Sequence, residues 1–255
     1  MSLRIALITG ASRGIGAAIA RRLAKDGFDV AINDLPTQTP ALESLREEIV
    51  SQGRRAYIHT TDVAEASEVK NMVDSTLKTL GGLDVMVANA GIGSLLTPLT
   101  ECSEDAWDKV MRINARGVFL CYKYAAQAMI AQGRGGRLIG ASSLAGKQGS
   151  GYSSIYCASK FAVRGLTQSA AQELAKHGIT VNAYAPGIID TTIFDAFSPE
   201  EGVGADVLNE LVKKTPVGRL GKPHEIASLV SYLASQESAF MTGQTISING
   251  GLFFD

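Results

Sequence analysis

Residues 3–16 read LRIALITGASRGIG, and this segment gives the first indication of the fold. The first seven residues are mostly apolar, which predicts a short buried strand. The glycines Gly10, Gly14 and Gly16 then follow in the spacing G-x-x-x-G-x-G. Glycine permits a tight turn, close approach of a ligand to the backbone and close packing of the next helix. A strand, a glycine-rich turn and a helix in this order predict a dinucleotide site, with a pyrophosphate at the N-terminus of the helix.

Short apolar runs alternate with amphipathic stretches along the rest of the chain. The predicted strands cover residues 3–9, 29–33, 55–60, 84–88, 137–141, 180–184 and 245–248. The predicted helices cover residues 14–26, 40–52, 67–80, 103–132, 154–176 and 223–235. Nearly all-apolar strands are typical of a parallel sheet that helices cover on both faces. We therefore expect an α/β fold: one domain over residues 1–255, built on a doubly wound parallel sheet of about seven strands, with an excursion at residues 188–223.

The composition excludes several classes of protein. Of 255 residues, 45% are hydrophobic and 19% are charged, as in a folded globular domain. The 24 basic and 25 acidic residues are interspersed, so we expect no nucleic-acid partner. No apolar run approaches the roughly 18 residues that a membrane-spanning helix needs, so we expect no membrane partner. The three cysteines fit neither a zinc site nor a disulfide framework, and we expect no metal and a cytoplasmic location.

Asp34 lies at the end of the second predicted strand, where an acidic residue after a glycine turn can bind ribose hydroxyls. Its charge would also repel a 2′-phosphate, by roughly 1–4 kcal/mol at a separation of about 4 Å. Arg13, inside the glycine turn, has the opposite effect, because a guanidinium there can reach a 2′-phosphate. We expect NAD rather than NADP as the cofactor. A turn-capping role for Asp34 is the alternative interpretation.

Two further turns follow predicted strands and suit the same cofactor. Asp62 and Val63 come after the third strand, where a side chain can reach an adenine edge. Asn89, Ala90 and Gly91 come after the fourth strand, and these small residues let a cofactor lie against the backbone. Each turn is a weak signal when it is taken alone.

Tyr156 and Lys160 lie four residues apart near the start of a predicted helix, and therefore on one face of it. A nearby ammonium favours the ionised form of a phenol, whose ordinary pKa is about 10, and this lets a tyrosine exchange protons near neutrality. Ser143 lies in a predicted loop, where its hydroxyl can hydrogen-bond the oxygen that Tyr156 protonates. An ordinary tyrosine and lysine on a helix remain the alternative for so short a pattern.

Together these motifs resemble the classical short-chain dehydrogenase/reductase family over nearly the whole chain. The matching residues, in family order and spacing, are TGASRGIG at 9–16, DV at 62–63, NAG at 89–91, NARG at 114–117, Ser143, YCASK at 156–160, Asn182 and PG at 186–187. One departure is Ala88, where the family most often has a second asparagine. The resemblance implies a Rossmann-type fold, an NAD- or NADP-dependent oxidoreductase acting on CH–OH groups, and a homotetramer.

The resemblance also implies roles for individual residues. Asn114, Ser143, Tyr156 and Lys160 would form the catalytic tetrad. Ser143 would polarise the substrate oxygen, Tyr156 would transfer the proton, Lys160 would lower the pKa of the phenol, and Asn114 would anchor a proton-relaying water. The implied cofactor contacts are Gly10, Ser12, Arg13, Gly14, Ile15, Gly16, Asp34, Asp62, Val63, Asn89, Ala90, Gly91, Tyr156, Lys160, Pro186, Gly187, Ile189 and Thr191.

Within the family, the segments FAVRGLTQSAAQELA at 161–175 and GITVNAYAPGI at 178–188 look like diacetyl (acetoin) reductases and 2,3-butanediol dehydrogenases. The residues expected at the substrate pocket are mainly apolar with few charges, which favours a small neutral carbonyl substrate, such as a diketone or a hydroxyketone. The expected pocket residues are Leu95, Leu96, residues 144–152, Ile188, Ile193, Phe194 and Phe197. A 3-oxoacyl-carrier-protein reductase is the alternative enzyme. A nicotinamide redox sensor without turnover is the non-enzymatic alternative, and the complete tetrad argues against it.

Overall fold

A seven-stranded parallel sheet forms the centre of the protein. The structure is a computed structural model that describes residues 4–192, 210 and 212–254. In chain order the strands are β1 (Ile5–Thr9), β2 (Asp29–Asp34), β3 (Ala56–Thr60), β4 (Val85–Ala88), β5 (Gly136–Ala141), β6 (Ile179–Pro186) and β7 (Thr245–Ile248). Their order across the sheet is β3-β2-β1-β4-β5-β6-β7.

Helices cover both faces of this sheet. They are α1 (Gly14–Lys25), α2 (Thr39–Ser51), α3 (Ala66–Leu80), α4 (Glu104–Met111), α5 (Gly117–Gln132), α6 (Ser154–Leu174) and α7 (Pro223–Ala234). The buried side chains of α1, α2 and α7 pack on one face, and those of α3, α5 and α6 pack on the other. The predicted α/β, doubly wound, Rossmann-type sheet is therefore confirmed.

The central strands are apolar on both faces because each face meets a layer of helices. In β1, Ile5 and Leu7 pack with the layer of α3, α5 and α6, whereas Ala6 and Ile8 pack with the layer of α1, α2 and α7. All four side chains are fully buried. Successive side chains of a strand point to opposite faces, so a strand buried on both sides has no polar position to alternate.

The order of the strands creates a crevice at the carboxyl ends of β1 and β4. β1 pairs with β2 on one side and with β4 on the other. The later strands are therefore added to the sheet on opposite sides of β1. In open α/β sheets the ligand binds at such a switch point, outside the carboxyl ends of the strands. The glycine turn after β1 and the Asn89 turn after β4 therefore meet at this crevice.

The helix predicted at 103–132 is the main correction to the expected elements. α4 ends at Met111, Arg112–Arg116 form a π-helical turn, and α5 begins at Gly117. π-Helical turns are rare and are frequent at functional sites, and this one carries Asn114. The other predicted boundaries lie within two residues of those observed.

Only part of the predicted excursion at 188–223 falls within the described residues. Its two ends meet in an isolated parallel bridge between Ile189 and Gly221. The predicted pocket residues Ile193, Phe194 and Phe197 lie outside the described residues. Among the helices that the structure describes, none is long and apolar enough to cross a membrane.

Candidate active site

In the glycine turn after β1, close packing at Gly10 and Gly16 leaves no room for a side chain. A Cβ added to Gly16 would lie 2.0 Å from the carbonyl oxygen of Gly10, and a Cβ on Gly10 would lie 2.9 Å from Ala90 Cα. Gly10 and Gly14 also adopt left-handed φ angles of +65° and +54°. α1 begins at Gly14, so the free N–H groups of its first turn are available to an anion in the crevice.

Asn89 joins this turn to the turn after β4. Its side-chain amide nitrogen donates to the carbonyl oxygens of Thr9, at 2.9 Å, and Gly10, at 3.1 Å. The backbone N–H groups of Asn89 and Ala90 each donate to Thr9 Oγ1 at 3.1 Å. The hydroxyl of Tyr184 donates to Asn89 Oδ1 at 2.8 Å. The two turns therefore form one hydrogen-bonded unit.

Asp34 caps the glycine turn as well as facing the crevice. Its carboxylate accepts hydrogen bonds from the backbone N–H groups of Ser12, at 3.1 Å, and Leu35, at 2.9 Å. The turn-capping role that the sequence left as an alternative is thus present. Ser12 Oγ is buried and has no hydrogen-bond partner among the described residues. A buried hydroxyl without a partner in a glycine turn suits a phosphate oxygen, so these residues fit a dinucleotide.

Three of the four tetrad side chains meet at the start of α6. Tyr156 and Lys160 are only 9% and 4% exposed. The phenol of Tyr156 is hydrogen-bonded to the hydroxyl of Ser143. Lys160 Nζ lies 5.5 Å from the centre of the Tyr156 ring and donates to the carbonyl oxygen of Ala141 at 3.0 Å. The structure therefore brings the predicted hydroxyls and ammonium together.

Asn114 lies behind these groups and is fully buried in the π-helical turn. Its side-chain oxygen accepts from the N–H of Ile92, and its nitrogen donates to the Ile92 carbonyl, both at 2.9 Å. The same nitrogen donates to Ser159 Oγ at 3.1 Å. Asn114 thus holds the segment after β4 against α6. Its expected role in anchoring a water stays a prediction.

Burial shifts the pKa values of Tyr156 and Lys160 in opposite directions. Burial raises the pKa of Tyr156 to about 12, although the hydrogen bond from Ser143 acts in the opposite direction. Burial lowers the pKa of Lys160 to about 8. The sequence predicted a lowered pKa for the Tyr156 phenol. The protein's own groups raise this pKa instead. The ammonium lies over the ring and donates to Ala141 instead of the phenol oxygen, so it does not offset the loss of solvent.

A cavity of about 380 Å³ connects the glycine turn with the tetrad. It is lined by every predicted catalytic and cofactor residue except Asn114: Gly10, Ser12, Arg13, Gly14, Ile15, Gly16, Asp34, Asp62, Val63, Asn89, Ala90, Gly91, Ser143, Tyr156, Lys160, Pro186, Gly187, Ile189 and Thr191. Lining residues that the sequence analysis missed include Leu35, Gln38, Ile113 and Tyr184. The first three belong to no recognisable motif. Tyr184 lies on β6, two residues before the PG pair. The alternation of side chains along a strand predicts which face of the sheet Tyr184 is on, but not which residues it contacts.

The chain is similar to known proteins over nearly its whole length. A family model described as Enoyl-(Acyl carrier protein) reductase matches residues 10–253. A short-chain dehydrogenase/reductase of Armillaria gallica is 48% identical over 253 residues, which cover 99% of this chain and 97% of that protein. The chain belongs to the classical short-chain dehydrogenase/reductase family. It is therefore an oxidoreductase of a family that uses NAD(P)(H), and the predicted family is confirmed.

Two further family members bear on the function. The 3-oxoacyl-(acyl-carrier-protein) reductase FabG of Staphylococcus aureus is 42% identical over 248 residues, which cover 97% of each chain. A blue fluorescent protein from a metagenomic library, solved in complex with NADPH, is 35% identical with a TM-score of 0.88 and covers 98% of this chain and 97% of its own. The finer resemblance to diacetyl reductases stays a prediction.

Burial of Lys160 should cost stability in a pH-dependent way. Its folded pKa, about 8, lies below the ordinary 10.5, so the unfolded chain binds the proton more tightly. The loss of stability is complete below the folded pKa and disappears as the pH rises through the unfolded one. We expect Lys160→Met to raise the free energy of unfolding by about 1–3 kcal/mol at pH 7 and to give no gain near pH 11.

Urea unfolding of both proteins at the two pH values measures this difference. Lys78→Met, which changes an exposed lysine of α3, is the matched control and should give no pH-dependent gain. A Lys160→Met effect that is equal at both pH values would show that burial of the charge is not its cause.

Proposed function

We propose that the protein transfers hydride between a nicotinamide cofactor and the carbon of a ketone or secondary alcohol. The observation that carries the proposal is the shared cavity, in which the hydrogen-bonded hydroxyls of Tyr156 and Ser143 and the ammonium of Lys160 lie at one end and the glycine turn at the other. The nicotinamide, when bound, supplies or accepts the hydride. A redox sensor without turnover would need the cofactor half of this cavity but not a buried proton donor.

Tyr156 and Ser143 would act on the substrate oxygen. The phenol, with a pKa of about 12, stays protonated at neutral pH and can therefore give its proton to a developing alkoxide. Ser143 lies within hydrogen-bond reach of the phenol and can donate to the same oxygen. A fixed donor that points at developing negative charge stabilises the transition state more than the ground state.

Lys160 would stabilise the phenolate that remains after Tyr156 has donated its proton. A pKa of about 8 keeps most of the ammonium protonated at pH 7, and Nζ lies 5.5 Å from the ring centre. In a site this buried, the attraction between opposite charges is weakly screened. The same attraction would favour loss of the phenol proton in alcohol oxidation, so the arrangement serves both directions.

The cofactor would lie across the cavity from the glycine turn to the segment after β6. The turn with Ser12 would hold the pyrophosphate, Asp34 the adenosine ribose, and Ile189 with Thr191 the carboxamide. We propose NAD as the preferred cofactor, because two backbone N–H groups hold the Asp34 carboxylate where a 2′-phosphate would meet it. The NADPH complex of the similar metagenomic protein shows that this fold also accepts the phosphorylated cofactor.

We propose a neutral ketone, such as a diketone or hydroxyketone, as the substrate. Leu95 and Leu96 are half exposed, and their segment is tied to the loop before α6 by a 2.9 Å hydrogen bond from Thr97 N to the Tyr152 carbonyl. Leu95 and Leu96 are close in sequence to the cavity residues Ile92 and Gly93. Neither side chain carries a charge that could pair with an acidic substrate.

A 3-oxoacyl thioester is the second candidate substrate, favoured by the 42% identity to the staphylococcal 3-oxoacyl reductase. An acidic carrier protein would need a free basic surface beside the site. Arg112 is instead paired with Asp62 and Glu65, which reduces the positive charge of this surface. The kcat/KM values for diacetyl and for an acetoacetyl thioester distinguish the two candidate substrates. A higher value for the thioester would contradict the assignment of a neutral diketone as the substrate.

We also propose that the protein assembles as a homotetramer. Large aromatic side chains are exposed on three neighbouring helices, namely Trp107 on α4, Phe119 on α5 and Phe161 on α6, each between 40% and 46% exposed. Contact with other copies would bury this apolar surface. Light scattering that gives the 26.8 kDa mass of one chain would contradict the proposal.

Removal of the Tyr156 hydroxyl should separate chemistry from cofactor binding. We expect Tyr156→Phe to lower kcat by about 10²–10⁴-fold, the usual contribution of a positioned acid, and to change the Kd of NADH by less than about threefold. Steady-state kinetics and a fluorescence titration measure the two quantities. Tyr232→Phe on α7 is the control and should keep wild-type kinetics. A Tyr156→Phe variant with more than a tenth of the wild-type kcat would rule out the proposed donor.

Removal of the Asp34 charge should shift the cofactor preference. We expect Asp34→Asn to raise the ratio of kcat/KM for NADPH to that for NADH by at least about tenfold, because repulsion of a 2′-phosphate is relieved. Asp62→Asn changes another carboxylate at the cavity and should leave the ratio nearly unchanged. An unchanged ratio in Asp34→Asn, or a wild-type enzyme that prefers NADPH, contradicts the assignment to NAD.

A further inference from the structure

Tyr184 is a buried tyrosine that the proposed chemistry does not use. It lies on β6, is 1% exposed and contributes to the wall of the cavity. A phenylalanine would fill the same space without a polar atom. A buried hydroxyl needs a hydrogen-bond partner, and here the partner is Asn89 Oδ1 at 2.8 Å. The hydroxyl therefore has a specific acceptor at the end of β4.

The hydrogen bond from Tyr184 selects one orientation of the Asn89 amide. With Oδ1 facing the phenol, both N–H groups of the amide point to the carbonyl oxygens of Thr9 and Gly10. In the opposite orientation the amide oxygen would face those two carbonyl oxygens, and both contacts would become repulsive. The phenol, the amide and the glycine turn thus form a single chain of hydrogen bonds from β6 to β1.

The Asn89 amide has almost no room in which to move. Its nitrogen would lie 2.9 Å from a Cβ on Gly10 and 2.6 Å from a Cβ on Gly16. It fills the narrow space between the turn and the first turn of α1. A displacement of Asn89 would therefore move the backbone whose N–H groups face the proposed pyrophosphate.

We propose that Tyr184 is a positioning residue for the phosphate groups of the cofactor. Its hydroxyl fixes the Asn89 amide, and the amide in turn fixes the Gly10 carbonyl and the turn that follows. This inference deepens the proposed function and rests on it. Tyr184 acts through Asn89 and the turn, so its loss affects the phosphate-bearing half of the cofactor and leaves proton transfer at Tyr156 unchanged.

Tyr184→Phe tests the inference, and Tyr122→Phe provides a matched control. Tyr122 is 2% exposed and lies on α5, where its hydroxyl bonds Thr167 Oγ1 and the carbonyl oxygen of Asn182, both at 3.3 Å. Each variant removes one buried hydroxyl from the core, but only Tyr184 is joined to the glycine turn. The Tm values of both variants report the general cost of losing such a hydroxyl.

The affinities for NADH and for ADP are then measured by titration of the three proteins. ADP carries the adenosine and the diphosphate without the nicotinamide. We expect Tyr184→Phe to weaken both ligands by the same factor, about 3- to 10-fold, which is the effect of losing one hydrogen bond of ordinary strength. The kcat at saturating cofactor should stay within about twofold of wild type, and Tyr122→Phe should bind both ligands normally.

Three outcomes would overturn the inference alone, and a fourth would overturn it together with the proposed function. Unchanged affinities in Tyr184→Phe would show that the hydroxyl does not position the turn. A weaker affinity for NADH with a normal affinity for ADP would place Tyr184 at the nicotinamide. Equal weakening in Tyr122→Phe would indicate a general loss of packing. If wild-type protein bound neither ligand, the proposed function itself would fail, and this inference with it.

Discussion

The contact between Gly16 and the Gly10 carbonyl is the constraint on which the rest of the site depends. Because a side chain at position 16 would lie 2.0 Å from that oxygen, α1 can start directly beneath the turn only with glycine there. The closeness directs the first N–H groups of α1 into the crevice between β1 and β4. It also lets the Asn89 amide reach the carbonyl groups of the turn, so the ends of two strands become one rigid support.

At the other end of the cavity, around Tyr156 and Lys160, the main constraint is the loss of solvent rather than close backbone packing. Burial raises the pKa of the Tyr156 phenol to about 12 and lowers that of the Lys160 ammonium to about 8, so at pH 7 the phenol is neutral and most of the ammonium is still charged. In the proposed reaction, Tyr156 would keep its proton until negative charge develops on the substrate oxygen. Ser143 is hydrogen-bonded to the phenol and would also donate to that oxygen. Burial of the Lys160 cation beside the phenol costs stability.

The sequence predicted the sheet, its helices and most of the site because these depend on local patterns. Glycine spacing specifies the turn, and the i,i+4 relation of Tyr156 and Lys160 specifies a shared helix face. The π-helical turn around Asn114 and the hydrogen bond from Tyr184 to Asn89 depend on contacts between distant segments, so no local sequence pattern predicts them. The pKa direction of Tyr156 was missed for a similar reason, because it reflects how much solvent the folded chain removes.

In the proposed reaction, a hydride passes to a carbonyl carbon in this cavity while Tyr156 protonates the oxygen. Reduction of diacetyl and of an acetoacetyl thioester with NADH or NADPH that carries two deuterium atoms at C4 tests it most directly. We expect one deuterium on the new carbinol carbon for each cofactor oxidised, with the hydroxyl proton derived from water. Deuterium released into water, or cofactor oxidation without a labelled alcohol, would contradict it.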